Sequence, residues 1–276
     1  MSYDESVSDH YLHGNLLNAI ELALPSLGKT TDNITIEDLA PVDEFHIGGR
    51  LATDKLIDQL NFSEQDHVLD VGCGLGGAAR YVATKYKNHV TGIDLSSEYI
   101  ETGKALCGWL KLDEYITLKQ GSALCMPCQD NAFDGAYMLH VGMNIEDKVS
   151  LFSEIYRVLK PGAFFGVYDI MLQKDGELIY PVPWATESIT SKLSTPDQYK
   201  HTLMDAGFKV SKENNRRDFA LEFFKQLRAK TETSDGPAPL GLHILMQEST
   251  ANKIKNMIDN ITNDLIAPVE IIAQKR

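Results

Sequence analysis

The stretch His67–Tyr86, HVLDVGCGLGGAARYVATKY, decides the architecture. Its first five residues read as a buried strand, and AARYVATKY reads as a helix. Between them Gly72, Gly74 and Gly77 spell G-x-G-x-x-G. That pattern brings backbone N–H groups and a helix N-terminus against a ligand, but it also fits a plain tight turn.

The same alternation continues outward. HVTGID (89–94) reads as a strand, and Ser96 caps the helix SEYIETGKALCGWLKL. YITLKQG (115–121), FDGAYML (133–139) and AFFGVYDI (163–170) read as three more strands. The helix EDKVSLFSEIYRVL precedes the last of these and is stopped by Pro161 and Gly162. TPDQYKHTLMDAGFKVSKEN is a further helix-then-strand unit, and APVEIIAQ (267–274) is a final short strand. Strands alternating with helices of this length predict an α/β fold whose mostly parallel, seven-stranded sheet is covered on both faces.

The flanks break the rhythm. Residues 8–28 carry Leu12, Leu16, Leu17, Ile20 and Leu24 at helical spacing, closed by Gly28. TIEDLAPVDEFHIGG (35–49) mixes turn residues with apolar ones, and a helix restarts near Arg50 and runs to Leu60. Residues 172–195 are rich in proline and aromatics, and 216–262 hold the helix DFALEFFKQLRAK and an exposed turn at TETSDGPAP. The expected layout is an N-terminal helical lid (1–60), a core (61–172 and 196–276) and an inserted cap from about 173–195 and 216–262.

The chain has 276 residues, 39 Asp plus Glu against 26 Lys plus Arg, and a formal net charge of −13. That sign disfavours nucleic acid and anionic membrane surfaces as partners. MSYDESVSDHYLHGN has no basic start and no apolar core, so it is no secretory signal, and no apolar run approaches the ~18 residues that span a bilayer. Four cysteines in this length make no disulfide framework. The expectation is a soluble cytoplasmic protein with reduced thiols, for which a homodimer stays open.

Asp70 refines the reading of the loop. It lies two residues before Gly72 at the end of the strand, where a carboxylate would repel a pyrophosphate and suit an ammonium group. S-adenosylmethionine carries one, in its methionine part. Asp94, ending the next strand, is placed for both ribose hydroxyls, although dinucleotide folds use such a residue too.

At this point the chain resembles the class I S-adenosylmethionine-dependent methyltransferases, which have a Rossmann-like α/β fold. VLDVGCGLGG looks like their first motif, GIDLS the second, GSALCMPCQDNAFDGAYMLHV the adenine-binding segment and EIYRVLKPGAFFGVYDI the approach to strand five. The resemblance covers about residues 61–172. It implies S-adenosylmethionine as cofactor, with Asp70 at the methionine end, Asp94 at the ribose, Gly72 and Gly74 letting the backbone approach, Ser122 and Ala123 at the adenine, and Cys73, Leu95 and Leu139 among the cofactor-binding residues. Ser122 stands where many members carry Asp. HIGG before the core, with the long cap, resembles sarcosine/dimethylglycine N-methyltransferases and, more loosely, the ubiquinone and sterol methyltransferase group. It implies a small amino-acid-like amine as acceptor; an O- or C-methyltransferase of a phenol, quinol or natural-product acid is the alternative.

The acceptor residues stay open between two uses each. His140 follows strand four, so it either orients and deprotonates the acceptor or is a hydrogen-bonded histidine beside the cofactor. Gly48 and Gly49 either close the backbone over the cofactor, with His46 aimed at the acceptor, or form a simple turn before a helix. Tyr180 and Trp184 are cage or packing residues, and Arg216 holds an acceptor carboxylate or belongs to a solvated charge pair with Arg217. Cys125 and Cys128 have no second pair or histidines at ligand spacing, so no metal is expected.

Overall fold

The computed structural model describes residues 14–232 and 238–276. Its centre is a seven-stranded sheet: β1 (His67–Val71), β2 (His89–Asp94), β3 (Ile116–Gln120), β4 (Phe133–Leu139), β5 (Leu159–Leu172), β6 (Phe208–Asn215) and β7 (Ile266–Lys275). The spatial order is β3-β2-β1-β4-β5-β7-β6. β1 to β5 pair in parallel, while β7 runs antiparallel between β5 and β6. Parallel strands are covered on both faces, which is why β1 and β4 are near-continuous apolar runs with Val68, Leu69, Val71, Ala136 and Met138 fully buried. β7 must run downward because the chain reaches it from helices that follow the upper, carboxyl end of β6.

Helices α4 (Gly77–Tyr86), α5 (Ser97–Trp109), α6 (Lys148–Val158) and α7 (Pro196–Asp205) connect the strands, with Ser96, Asp147 and Thr195 accepting backbone N–H bonds at their N-caps. Strand order reverses between β1 and β4, and an open α/β sheet leaves a crevice at the carboxyl ends of the strands there.

The lid differs from the sequence expectation. The described part of the first segment is a shorter helix, α1 (Leu16–Ala23), continued by a 3-10 turn to Leu27 and closed by Gly28 at φ 67°. Leu12 of that apolar spacing lies outside the described residues. The mixed stretch after Thr35 is a helix, α2 (Ile36–Asp43). Thr35 and Asp38 form a reciprocal capping box, and Pro41 sits inside the helix. The turn residues in that stretch are therefore a cap and a tolerated proline. α3 (Gly49–Ile57) follows.

Late in the chain, α8 (Arg217–Glu232), the short α9 (His243–Met246) and α10 (Thr250–Thr262) precede β7. The turn expected at TETSDGPAP falls largely outside the described residues. Ala220, Phe224, Met257 and Ile261 from these helices bury against Ile170, Val182, Trp184 and Ile47. A separate cluster joins Leu16, Ile20, Leu39 and Val42 of the lid to Leu106 of α5 and to Leu240 and Leu245 near α9. Lid and late chain thus meet above the carboxyl end of the sheet. Among the described residues no helix is long and apolar enough to cross a membrane.

Candidate functional site

A cavity of about 390 Å³ opens at the strand-order reversal. Its floor is the glycine loop. Gly72, Gly74 and Gly76 take φ of 71°, 54° and 78°, values that L side chains adopt at a cost. The N–H groups of Gly72 and Cys73 bond to the Ile93 carbonyl at 2.8 and 3.0 Å, so the loop is tied to β2. A Cβ on Gly72 would overlap the Val141 side chain, which lies on the loop from the β4 side.

Asp70 and Asp94 both line the cavity. Asp70 is buried, pairs across the sheet with Gly92 and Tyr137, and accepts the Tyr137 hydroxyl at 3.0 Å. Burial raises its pKa to about 7, against the Tyr137 hydrogen bond and with help from the Asp94 charge. Asp94 accepts Gly74 N–H at 2.8 Å and Ser96 N–H at 2.9 Å, and burial raises it against those bonds. The Asp94 oxygens have about four lone-pair sites, so they keep accepting capacity beyond these backbone donors. Two carboxylates, one at each strand end, with a positive-φ glycine loop between them, suit an ammonium group and a vicinal diol. The residues present therefore fit S-adenosylmethionine.

Cys73, Leu95, Ser122, Ala123 and Leu139 also line the cavity. Ser122 closes a small bridge with Cys125, and its Oγ accepts Leu124 N–H at 3.3 Å. Burial pushes the Cys73 thiol well up, so it serves as a small apolar group.

His46 and His140 stand together in the cavity wall, with ring centroids 6.1 Å apart and edge-to-face. The His46 Nε2 lies 3.0 Å from the Gly49 carbonyl, which can only accept, so Nε2 carries the proton. Burial lowers the pKa of His46 to about 4, and that of His140 well below the ordinary value. Both rings are neutral at physiological pH. His140 has φ 55°, donates its backbone N–H to the Tyr168 carbonyl at 2.7 Å, and its buried Nε2 has no partner among the described residues.

Five expected site residues lie elsewhere. Gly48 and Gly49 start α3 and do not line the cavity; a Cβ on Gly48 would meet Phe219 at 2.5 Å, so that glycine serves packing. Trp184 is buried in the late-chain cluster and donates its indole N–H to Ser191 Oγ at 2.9 Å, while Tyr180 packs at the edge of that cluster. Arg216 binds both oxygens of the buried Glu270, at 3.1 and 3.0 Å, and Arg217 bonds the carbonyls of Ile261 and Thr262 at the end of α10. Arg216 is drawn to Glu270 because burying that carboxylate in β7 demands a counter-charge.

The sequence reading missed other wall residues. Val42, Asp43 and Phe45 come from the end of α2, and Leu245 from α9. Asp43 is fully buried and bonds Arg80 of α4 at 2.5 Å, which docks the lid on the core. Gly77 permits the approach, since a Cβ there would lie 2.5 Å from the Asp43 carbonyl oxygen. Arg80, four residues into the helix after the glycine loop and set among Ala78, Ala79, Val82 and Ala83, was the available signal.

Residues 69–167 match the family model described as Methyltransferase domain. An O-methyltransferase, resE, of Aspergillus sclerotiorum is 27% identical over 205 residues, covering 72% of this chain and 76% of that protein. A sterol 24-C-methyltransferase of Gibberella zeae is 34% identical over 117 residues, covering 42% of this chain and only 31% of that protein. Among solved structures, geranyl diphosphate C-methyltransferase from Streptomyces coelicolor superposes with a TM-score of 0.70 at 18% identity, covering 100% of this chain and 99% of that one. A candidate sarcosine dimethylglycine methyltransferase from Galdieria sulphuraria superposes with a TM-score of 0.66 at 18% identity, covering 94% and 98%. The protein is an S-adenosylmethionine-dependent methyltransferase with the class I Rossmann-like fold.

Proposed function

We propose that the protein methylates a hydroxyl oxygen on a small acceptor without negative charge. One observation carries this reading: the cavity wall holds two neutral histidines and, among the described residues, five carboxylates (Asp43, Asp70, Asp94, Glu146, Asp147) but no lysine or arginine. A carboxylate or phosphate acceptor would enter that field without a counter-charge. Sarcosine and dimethylglycine carry a carboxylate, and Arg216, the residue expected to receive it, is held by Glu270. The amino-acid reading has correspondingly less support than O-methylation of a phenol or enol.

Bound S-adenosylmethionine would supply an activated methyl group. Asp70 would hold its ammonium, Asp94 its ribose hydroxyls, and Ser122 and Ala123 would border its adenine. His140 would take the acceptor's proton as the oxygen–carbon bond forms and the carbon–sulfur bond breaks. Its pKa lies below the physiological range, so the base form is already present at pH 7. His46 would orient the acceptor from the lid side, its tautomer set by the Gly49 carbonyl. Most of the remaining task is alignment of the two reacting atoms.

The test is product analysis by mass spectrometry with purified protein, S-adenosylmethionine and separate pools of phenols and neutral alcohols, amines, and sarcosine with dimethylglycine. The expected result is one methyl on an oxygen of a neutral compound, with turnover falling about 10²-fold or more in His140→Ala. Methylation confined to sarcosine or dimethylglycine would overturn the reading.

A further inference from the structure

Asp169, near the upper end of β5, takes no part in the cofactor contacts above, yet it is fully buried and fully engaged. Its Oδ1 accepts Val141 N–H at 2.7 Å, and its Oδ2 accepts Gly142 N–H at 2.9 Å and the Tyr199 hydroxyl at 2.9 Å. Two successive backbone N–H groups on one carboxylate form a nest-like anion site, and here the anion belongs to the chain itself. The nest exists because His140 turns to φ 55° directly before it. Gly142 is needed at its centre, since a Cβ there would overlap both Asp169 Oδ2 and the Tyr199 hydroxyl.

The segment so held is the β4 wall of the cavity. His140, Val141, Asn144, Ile145, Glu146 and Asp147 all line it. The Asn144 and Ile145 N–H groups bond back to the carbonyls of Val141 and Gly142, at 3.0 Å each, so the turn is built on the two anchored residues. Val141 in turn lies on Gly72 of the cofactor loop.

We propose that Asp169 is a positioning residue: its carboxylate, bonded to the N–H groups of Val141 and Gly142, sets the place of the His140 ring and of the Val141 side chain against the cofactor loop. This goes beyond the hydroxyl-acceptor reading and does not need it, because cofactor binding is affected whatever the acceptor.

The substitution Asp169→Asn tests it. An amide offers one acceptor oxygen and one NH2, so one of the two backbone donors faces another donor in either orientation. The readouts are S-adenosylhomocysteine affinity by calorimetry and amide NMR shifts of the full chain, neither of which needs the acceptor. The expected result is about tenfold weaker binding in a folded protein, matching the loss of one charge-assisted hydrogen bond. Val141 and Gly142 amide protons should move upfield, and shift changes should extend to His140, Gly72 and Gly74. Affinity within twofold of the unaltered protein, with Gly72 and His140 resonances unmoved, would overturn the proposal. Should Asp169→Asn not fold, Gly142→Ala decides. It keeps the carboxylate but drives a methyl into the nest, and unchanged S-adenosylhomocysteine affinity there would refute the role. Failure of the hydroxyl-acceptor reading would instead show only in the product assay.

Discussion

Gly72→Ala should cripple cofactor binding for two separable reasons. The backbone at this position has φ 71°, and an L side chain in the left-handed region costs about 1–2 kcal/mol. The new methyl would also meet Val141, whose Cγ1 lies 2.6 Å from where the Cβ would stand, well inside contact distance. Overpacking of this kind costs about 1–3 kcal/mol. Together the loop shape would be disfavoured by roughly 2–5 kcal/mol, so S-adenosylhomocysteine should bind at least about 30-fold more weakly. The two costs separate in a double-mutant cycle. Val141→Ala removes the methyls in the way but leaves φ untouched. In the Gly72→Ala background it should restore about 1–3 kcal/mol, or about 5- to 150-fold in affinity, while alone it should weaken binding slightly. Calorimetric titration of all four proteins gives the coupling. A coupling below about 0.5 kcal/mol would show that Val141 does not press on the loop, and the account of this wall would fail.

Two further predictions concern charge. Burial lifts Asp70 to about 7, and a cofactor ammonium would favour its ionised form, so protons and cofactor should compete. S-adenosylhomocysteine affinity should fall about tenfold between pH 8 and pH 6, with proton uptake by the free protein, and Asp70→Asn should bind weakly with a flat profile. Because the folded value lies above the ordinary 3.8, the sign for the free protein's stability is opposite. The contribution of Asp70 is fully present below about pH 4 and is lost as pH rises through about 7, which thermal melts without cofactor would register. The second concerns the buried Asp43–Arg80 pair, both side chains 0% exposed. Asp43→Ala should cost about 3–5 kcal/mol by stranding the guanidinium, whereas Asp43→Leu combined with Arg80→Met should recover most of it; equal melting losses in both would refute a charge-stranding cause.

Much of the site was legible because its chemistry sits at strand ends. Asp70, Gly72, Gly74 and Asp94 are local features: a carboxylate closing an apolar run, glycines at a turn, a second carboxylate one unit later. His140 was legible for the same reason, since a residue after β4 must stand at the carboxyl end of the sheet. Arg216 stayed open between two uses because its partner is not local. Glu270, 54 residues further on, takes up Arg216 only once β7 has inserted beside β5. Asp43 and Leu245 were missed likewise, being brought to the cavity by docking of the lid on Arg80 and on the late-chain cluster.

Hydrophobic periodicity and glycine placement determined the α/β class and the strand succession, because backbone pattern and short-range turn geometry depend on neighbours in sequence; the sulfonium-cofactor reading of the loop needed Asp70, Asp94 and the resemblance of the motifs as well. The tertiary structure alone decided the antiparallel course of β7, the lid's attachment, the nest on Asp169 and, among the described residues, a cavity lining without a cation. The course of β7 depends on where the chain re-enters the sheet, and the others depend on which distant groups meet inside the fold. A buried carboxylate claims the nearest guanidinium or N–H whatever its place in the chain, since leaving either partner dry and unpaired costs more than any local preference can offset.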